Sequence, residues 1–182
     1  MRVISGSARG IALEALDGLD TRPTTDRVKE AVFSMLQPYI YGSVCLDLFS
    51  GSGALGIELL SRGASRVYMV EQSKSAMSII ERNLNKTKLT TNAVTVTSEV
   101  YGFLEKESSP KYQIIMMDPP YNKGHVCRSL EKIAENNLLL ENGLVVVEHA
   151  IGDADLSIEY NNLEVIKEKK YGKIGITVFR RL

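Results

Sequence analysis

The sequence is poor in the features that would place it outside ordinary soluble enzymes. Its two cysteines, Cys45 and Cys127, lie far apart and form no C-x-x-C pair, so neither a disulfide framework nor a zinc site is signalled. No apolar run approaches the length of a membrane span, and Met1-Arg2-Val3-Ile4-Ser5-Gly6 lacks the apolar core of a signal peptide. There is no internal repeat and no low-complexity linker. Charge of one sign is also missing: 22 basic residues balance 22 acidic ones, so no global field attracts nucleic acid, although a local patch is still allowed. These absences predict a soluble cytoplasmic protein with no membrane and no metal. Its 182 residues suffice for one compact domain that buries roughly 70% of its unfolded surface.

What is present centres on Val44–Glu58. An apolar run, Val44 to Phe49, has strand length and carries a single acid, Asp47. It breaks into Gly51-Ser52-Gly53 and resumes from Ala54 with helical apolar spacing. Gly51, Gly53 and Gly56 satisfy G-x-G-x-x-G, and Glu71 follows Gly51 at the distance where an acid meets a ribose. This motif alone permits a nicotinamide-dependent oxidoreductase as readily as any other nucleotide-binding enzyme.

Upstream, residues 2–5 and 11–16 flank Gly6–Gly10 as a hairpin, either covering a sheet edge or touching substrate. Residues 1–20 read as an extension and 21–182 as the main domain. Thr21-Arg22-Pro23-Thr24-Thr25-Asp26-Arg27 leads into a helix that should stop before Pro38. Thr25 or Asp26 can simply cap that helix; alternatively Arg22 and Arg27 lie against an anionic group at its start.

Downstream, strands and helices alternate. The strands are Arg66–Glu71, Ala93–Thr97, Gln113–Asp118 and Leu144–Glu148; the helices run from Ser73 to about Asn85, from Tyr101 to Lys106 and from His125 to Asn136. Such alternation implies a parallel sheet with helices on both faces. The tail departs from it: residues 163–170 and 174–179 form an antiparallel pair around Tyr171-Gly172-Lys173. A dinucleotide fold would supply a second βαβαβ half at this point.

Four acids, Asp47, Glu71, Glu99 and Asp118, fall at strand ends, where ligands of open α/β sheets bind. Asp118-Pro119-Pro120-Tyr121 is the sharpest of these signals. The two prolines fix two φ angles and remove two amide donors, leaving a stiff turn that presents carbonyl oxygens. The Asp118 carboxylate and the Pro119 carbonyl can accept the hydrogens of an exocyclic amine, and Tyr121 can stack on its ring. An ordinary turn after a buried strand is the plain alternative.

Residues 21–33, 46–58 and 118–121 together resemble the RsmD family of bacterial 16S rRNA (guanine-N2)-methyltransferases, in order and at compatible spacings. The resemblance implies the class I S-adenosylmethionine-dependent methyltransferase fold, a Rossmann-like α/β sheet of seven strands with the last antiparallel. It implies S-adenosylmethionine as cofactor, held by Asp47, Gly51, Gly53, Glu71 with Gln72, and Glu99 with Val100. The acid after the third strand is commonly Asp in the family and is Glu99 here. Asp118, Pro119, Pro120 and Tyr121 are implied as the catalytic turn, with Arg9, Arg22 and Arg27 as substrate contacts. The implied partner is 16S rRNA within a small ribosomal subunit or its assembly intermediate. Adenine-N6 and protein glutamine remain open as targets, because the diproline turn suits any such amine. Basic residues Lys167, Lys169, Lys170, Lys173, Arg180 and Arg181 either face RNA phosphates or blunt an edge strand.

Overall fold

A computed structural model describes residues 1–15, 26–152, 156, 160 and 162–182. Seven strands form one sheet: β1 (Val44–Leu48), β2 (Arg66–Glu71), β3 (Ala93–Thr97), β4 (Tyr112–Met117), β5 (Leu139–Ala150), β6 (Leu163–Tyr171) and β7 (Ile174–Arg181). Their order is β3-β2-β1-β4-β5-β7-β6. The first five strands pair in parallel, and β7 runs antiparallel between β5 and β6. After β3 the chain crosses to the far side of β1, so strand order reverses between β1 and β4.

Strand alternation divides the apolar side chains between two faces. Cys45, Ile114, Met116, Leu144 and Val146 point to one face, beneath helices α1 (Asp26–Ile40), α2 (Ala54–Ser61) and α3 (Lys74–Thr87). Leu46, Leu48, Ile115, Met117, Val145 and Val147 point to the other, beneath α4 (Val100–Leu104) and α5 (His125–Glu135). The same parity puts Asp47, two residues after Cys45, on the α2 side. There it is buried.

Three boundaries differ from the sequence expectation. Helix α1 continues through Pro38 to Ile40, because Pro38 lies in the last turn and Leu36 and Ile40 are fully buried. Strand β5 starts at Leu139 rather than Leu144, pairing Leu139 with Tyr112 across a register irregularity. The N-terminal hairpin pairs over a short span around the Arg2–Ala12 bridge, with the Val3 N–H donating to the Ile11 carbonyl (3.0 Å) and the Leu13 N–H to the Met1 carbonyl (3.0 Å), and it covers α2 rather than a sheet edge. The backbone N–H groups that would extend it are engaged elsewhere. Ile4 and Ser5 donate to the Glu58 carboxylate (2.8 and 3.0 Å), Ser7 to the Ser61 carbonyl (2.8 Å) and Ala8 to the Ser61 hydroxyl (3.0 Å). Val3, Ala8 and Leu13 are buried in the same core as α1 and α2.

Glu58 is the hub of that junction. It also takes ion pairs from Arg62 (2.8 Å) and from Lys29 (3.5 Å), whose side chain is fully buried. Burial pulls the Lys29 ammonium below the usual lysine range, while Glu58 opposes the shift. Lys29 also donates to the Arg2 carbonyl (3.1 Å), joining α1, α2 and residues 2–5 in one polar cluster. Among the described residues, no helix is long and apolar enough to cross a membrane.

Candidate active site

The glycine loop and the diproline turn leave adjacent strands at the same height. Asp47 is level with Met116 and Leu48 with Met117, so Phe49 and Asp118 emerge side by side where strand order reverses. Motifs far apart in sequence thus face one crevice.

The loop is built by positive φ angles at Phe49 (59°), Gly51 (55°) and Gly53 (79°). Ser50 ties it down: its hydroxyl donates to the Asp47 carbonyl (2.7 Å) and its N–H to the Val70 carbonyl (3.0 Å). Above Gly51 the space is open, since an added Cβ would meet only the Phe49 carbonyl at 3.9 Å. Gly56 serves packing. A Cβ there would lie 2.6 Å from Met69 Cε and 3.0 Å from Asp47 Oδ2, so glycine lets α2 close onto β2.

Asp47 Oδ2 accepts the Gly56 N–H (2.9 Å) at the start of α2. Its Oδ1 is buried without a hydrogen-bond partner. Burial raises this carboxyl to about 7, against the opposing pull of the Gly56 hydrogen bond and with the Glu71 charge adding to the rise. Glu71 anchors the loop from β2: its carboxylate accepts the N–H of Gly51 (3.0 Å) and of Ser73 (2.8 Å). Each carboxylate oxygen has a second lone pair, so Glu71 can still receive ligand hydroxyls.

Asp118 continues the parity of Met116 and therefore faces the same side as Asp47. One residue past the paired Met117 and Val147, it adjoins Glu148 of β5. Burial, then Glu148, then Asp47 push the Asp118 carboxyl well above the usual carboxylate range. Glu148 is itself buried, and its Oε1 accepts the Tyr121 hydroxyl (3.0 Å). Pro119 is buried and Pro120 exposed, so the turn is wedged at one end and open at the other. Among the described residues, no group of three or more His, Cys, Asp or Glu is placed to hold a metal ion.

The family model described as "Conserved hypothetical protein 95" matches residues 1–180. "Ribosomal RNA small subunit methyltransferase D" of Haemophilus influenzae is 34% identical over 182 residues, covering 99% of this chain and 93% of its own. The protein of the same name from Escherichia coli K12 is 34% identical over 181 residues, covering 100% and 90%. The chain belongs to the RsmD family. The solved structure of yhhF from Escherichia coli superposes with a TM-score of 0.89 at 32% identity, covering 100% of this chain and 97% of that one. The RsmD fold is thus the class I methyltransferase fold, and the antiparallel β7 is its mark.

Within this RsmD framework the site residues fall into groups. Asp47, Gly51, Gly53 and Glu71 meet at the loop, and Asp118, Pro119, Pro120 and Tyr121 adjoin it. Gln72 is exposed beside Glu71. Glu99 is the N-cap of α4, its Oε2 accepting the Gly102 N–H (3.0 Å), and Val100 is buried in the core of the second face. Arg27 is exposed in the first turn of α1, whereas Arg22 lies outside the described residues. Arg9 is not brought to the crevice. Its turn is anchored at Ser61, and α2 puts about 12 Å of helix between that point and the glycine loop.

Glu148 adjoins these candidate residues without having stood out in the sequence. The signal was there: an acid closing an apolar strand, as at the other four positions.

Proposed function

We infer that this protein transfers a methyl group from S-adenosylmethionine to the exocyclic N2 amine of a guanine in 16S rRNA, within a small ribosomal subunit or its precursor. The observation that carries this reading is the side-by-side emergence of the glycine loop and the Asp118–Tyr121 turn at the strand-order reversal. The relatives named as small-subunit rRNA methyltransferases support the RNA class of the substrate. The motif resemblance supports guanine-N2.

The residues fit the cofactor. Asp47 Oδ1 is a buried acceptor awaiting a donor, the surface above Gly51 is open, and Glu71 retains lone pairs for ribose hydroxyls. When bound, S-adenosylmethionine supplies an electrophilic methyl on a sulfonium. The protein's own task is positioning. The Asp118 carboxylate and Pro119 carbonyl accept the two amine hydrogens, which turns the nitrogen lone pair out of ring conjugation. Tyr121, its hydroxyl held by Glu148, offers its ring for stacking on the base. Holding both reactants in line supplies about 7–11 kcal/mol of barrier lowering. After transfer, the surplus proton leaves to Asp118 or to water. The base must first be unstacked, at a cost of a few kcal/mol.

The test is methylation of small-subunit particles, naked rRNA, DNA and a peptide pool with labelled cofactor, followed by nucleoside mass analysis. N2-methylguanosine from the rRNA is the expected product. Labelled N6-methyladenine, methylated peptide or unlabelled rRNA would overturn the assignment.

A further inference from the structure

Beside the catalytic turn lies an open groove of about 790 Å³. One wall is the first turn of α1, with Arg27 and Val28; the other is the β6–β7 tip, with Lys170, Tyr171 and Lys173. Tyr121 stands at the end nearest the reaction. We propose that this groove carries the single-stranded RNA segment flanking the target nucleotide, with its phosphates on Arg27, Lys170 and Lys173. The proposal rests on the methyltransferase reading above and adds the path of the substrate.

Charge is the first argument. Three cations line the groove and no acid does, in a chain whose net charge is zero. All three are exposed, and none forms an ion pair among the described residues. Of the other tail cations, Arg180 pairs with Glu164 and Arg181 donates to the Leu139 carbonyl, while Lys167 and Lys169 are exposed on β6 but do not line the groove. Lys170 and Lys173, at the hairpin tip, are the tail cations that line the groove next to the site.

Aromatic placement is the second. Tyr121 and Tyr171 both line the groove, and a cationic channel interleaved with aromatic faces is how proteins hold unpaired nucleic acid. A single strand is favoured over a duplex because guanine N2 must be presented from an unstacked base. An acidic protein segment would also answer the charge but would leave the aromatic faces unused.

The test is fluorescence anisotropy with a labelled single-stranded RNA dodecamer containing guanine, across a salt series. Wild type is compared with Arg27→Gln/Lys170→Gln/Lys173→Gln and with Lys86→Gln/Lys106→Gln, whose lysines are exposed but outside the groove. Thermal melting and S-adenosylmethionine calorimetry on each variant show that fold and cofactor affinity persist. The groove variant should lower the slope of log K against log salt by about 2, at about 0.7 per phosphate contact on a single strand. Between 50 and 200 mM salt, wild-type affinity should thus fall about 20-fold further than the variant's. The control variant should keep the wild-type slope. A wild type that does not bind the RNA, or an unchanged slope in the groove variant, overturns the proposal. Lost activity on small-subunit particles with an unchanged slope would assign the groove to a protein partner instead. Methyl transfer is scored separately: an intact slope effect without a methylated guanine would sink the reaction and leave the groove standing.

Discussion

The Tyr121 hydroxyl donates to Glu148 Oε1 across 3.0 Å, tying the end of the Asp118–Tyr121 turn to a buried acid on the next strand. The same Glu148 adjoins Asp118 and helps hold its carboxyl above the usual range. In the proposed mechanism one side chain therefore orients the stacking ring and, after burial, adds to the rise of the amine acceptor's carboxyl. Two variants separate these roles. Glu148→Gln keeps an acceptor for Tyr121 but removes the negative charge, so the acid limb of the kcat/KM profile should move to lower pH. Glu148→Ala frees the ring and should raise KM for RNA as well. Identical profiles in wild type and Glu148→Gln would refute the electrostatic half.

In the proposed mechanism Asp118 accepts the amine hydrogens in its ionised form, whereas burial with like charges favours the neutral form. Activity should therefore rise with pH through the range where this raised group ionises. Asp118→Ala should cut turnover on the order of 10³-fold while leaving S-adenosylmethionine affinity within about threefold by calorimetry, as expected when a positioned polar contact in a desolvated site is lost. Near-normal turnover would contradict its role.

Asp47 gives a stability signature. Its carboxyl is raised to about 7 in the folded state from an ordinary value near 3.8, so the folded protein binds the proton more tightly than the unfolded chain does. Its contribution to stability is fully present below the unfolded value and is lost as pH rises through about 7. Asp47→Asn avoids that loss and keeps an oxygen for the Gly56 N–H. Without cofactor, it should gain on wild type between about pH 4 and 7, by at most about 4 kcal/mol in urea unfolding. It should also bind S-adenosylmethionine more weakly. A pH-independent difference in stability would rule out this titration.

The two loop glycines should fail differently. Gly51→Ala meets open space and only the strain of a left-handed residue, about 1–2 kcal/mol. Gly53→Ala adds a Cβ 2.8 Å from Met69 Cε and 3.2 Å from Ile80 Cγ1. Thermal melting should rank Gly53→Ala as the less stable, while calorimetry should show Gly51→Ala losing cofactor affinity out of proportion to its stability.

Glu58→Ala removes the partner of the buried Lys29 and should cost about 3–5 kcal/mol of unfolding free energy. Its distance from the glycine loop along α2 means that the folded fraction should still bind cofactor.

Much of this was legible in the sequence where the signals are local. Val44–Leu48 is an apolar run of strand length broken by glycine, and Ser73 caps α3 as its position implies, accepting the Ala76 N–H (3.3 Å). Asp118-Pro119-Pro120 announces a stiff turn in any context. Pro38 misled because the burial of Ile40 outweighs one lost helical hydrogen bond, and burial is a tertiary fact. What the N-terminal hairpin covers was hidden for the same reason, since its N–H partners on α2 lie more than fifty positions away. The groove was equally hidden: Arg27 and Lys173 are brought together only when β7 inserts between β5 and β6.

The Glu58 hub also bears on the timing of folding. During synthesis, Ile4 and Ser5 leave the ribosome 54 and 53 residues before the carboxylate that will receive their N–H groups. This segment therefore cannot dock until α2 has been made, and before then Lys29 cannot be desolvated without leaving a charge uncompensated. Docking of the N-terminal turn thus requires α2, which supplies both the Glu58 carboxylate and the Ser61 hydroxyl that receive its N–H groups.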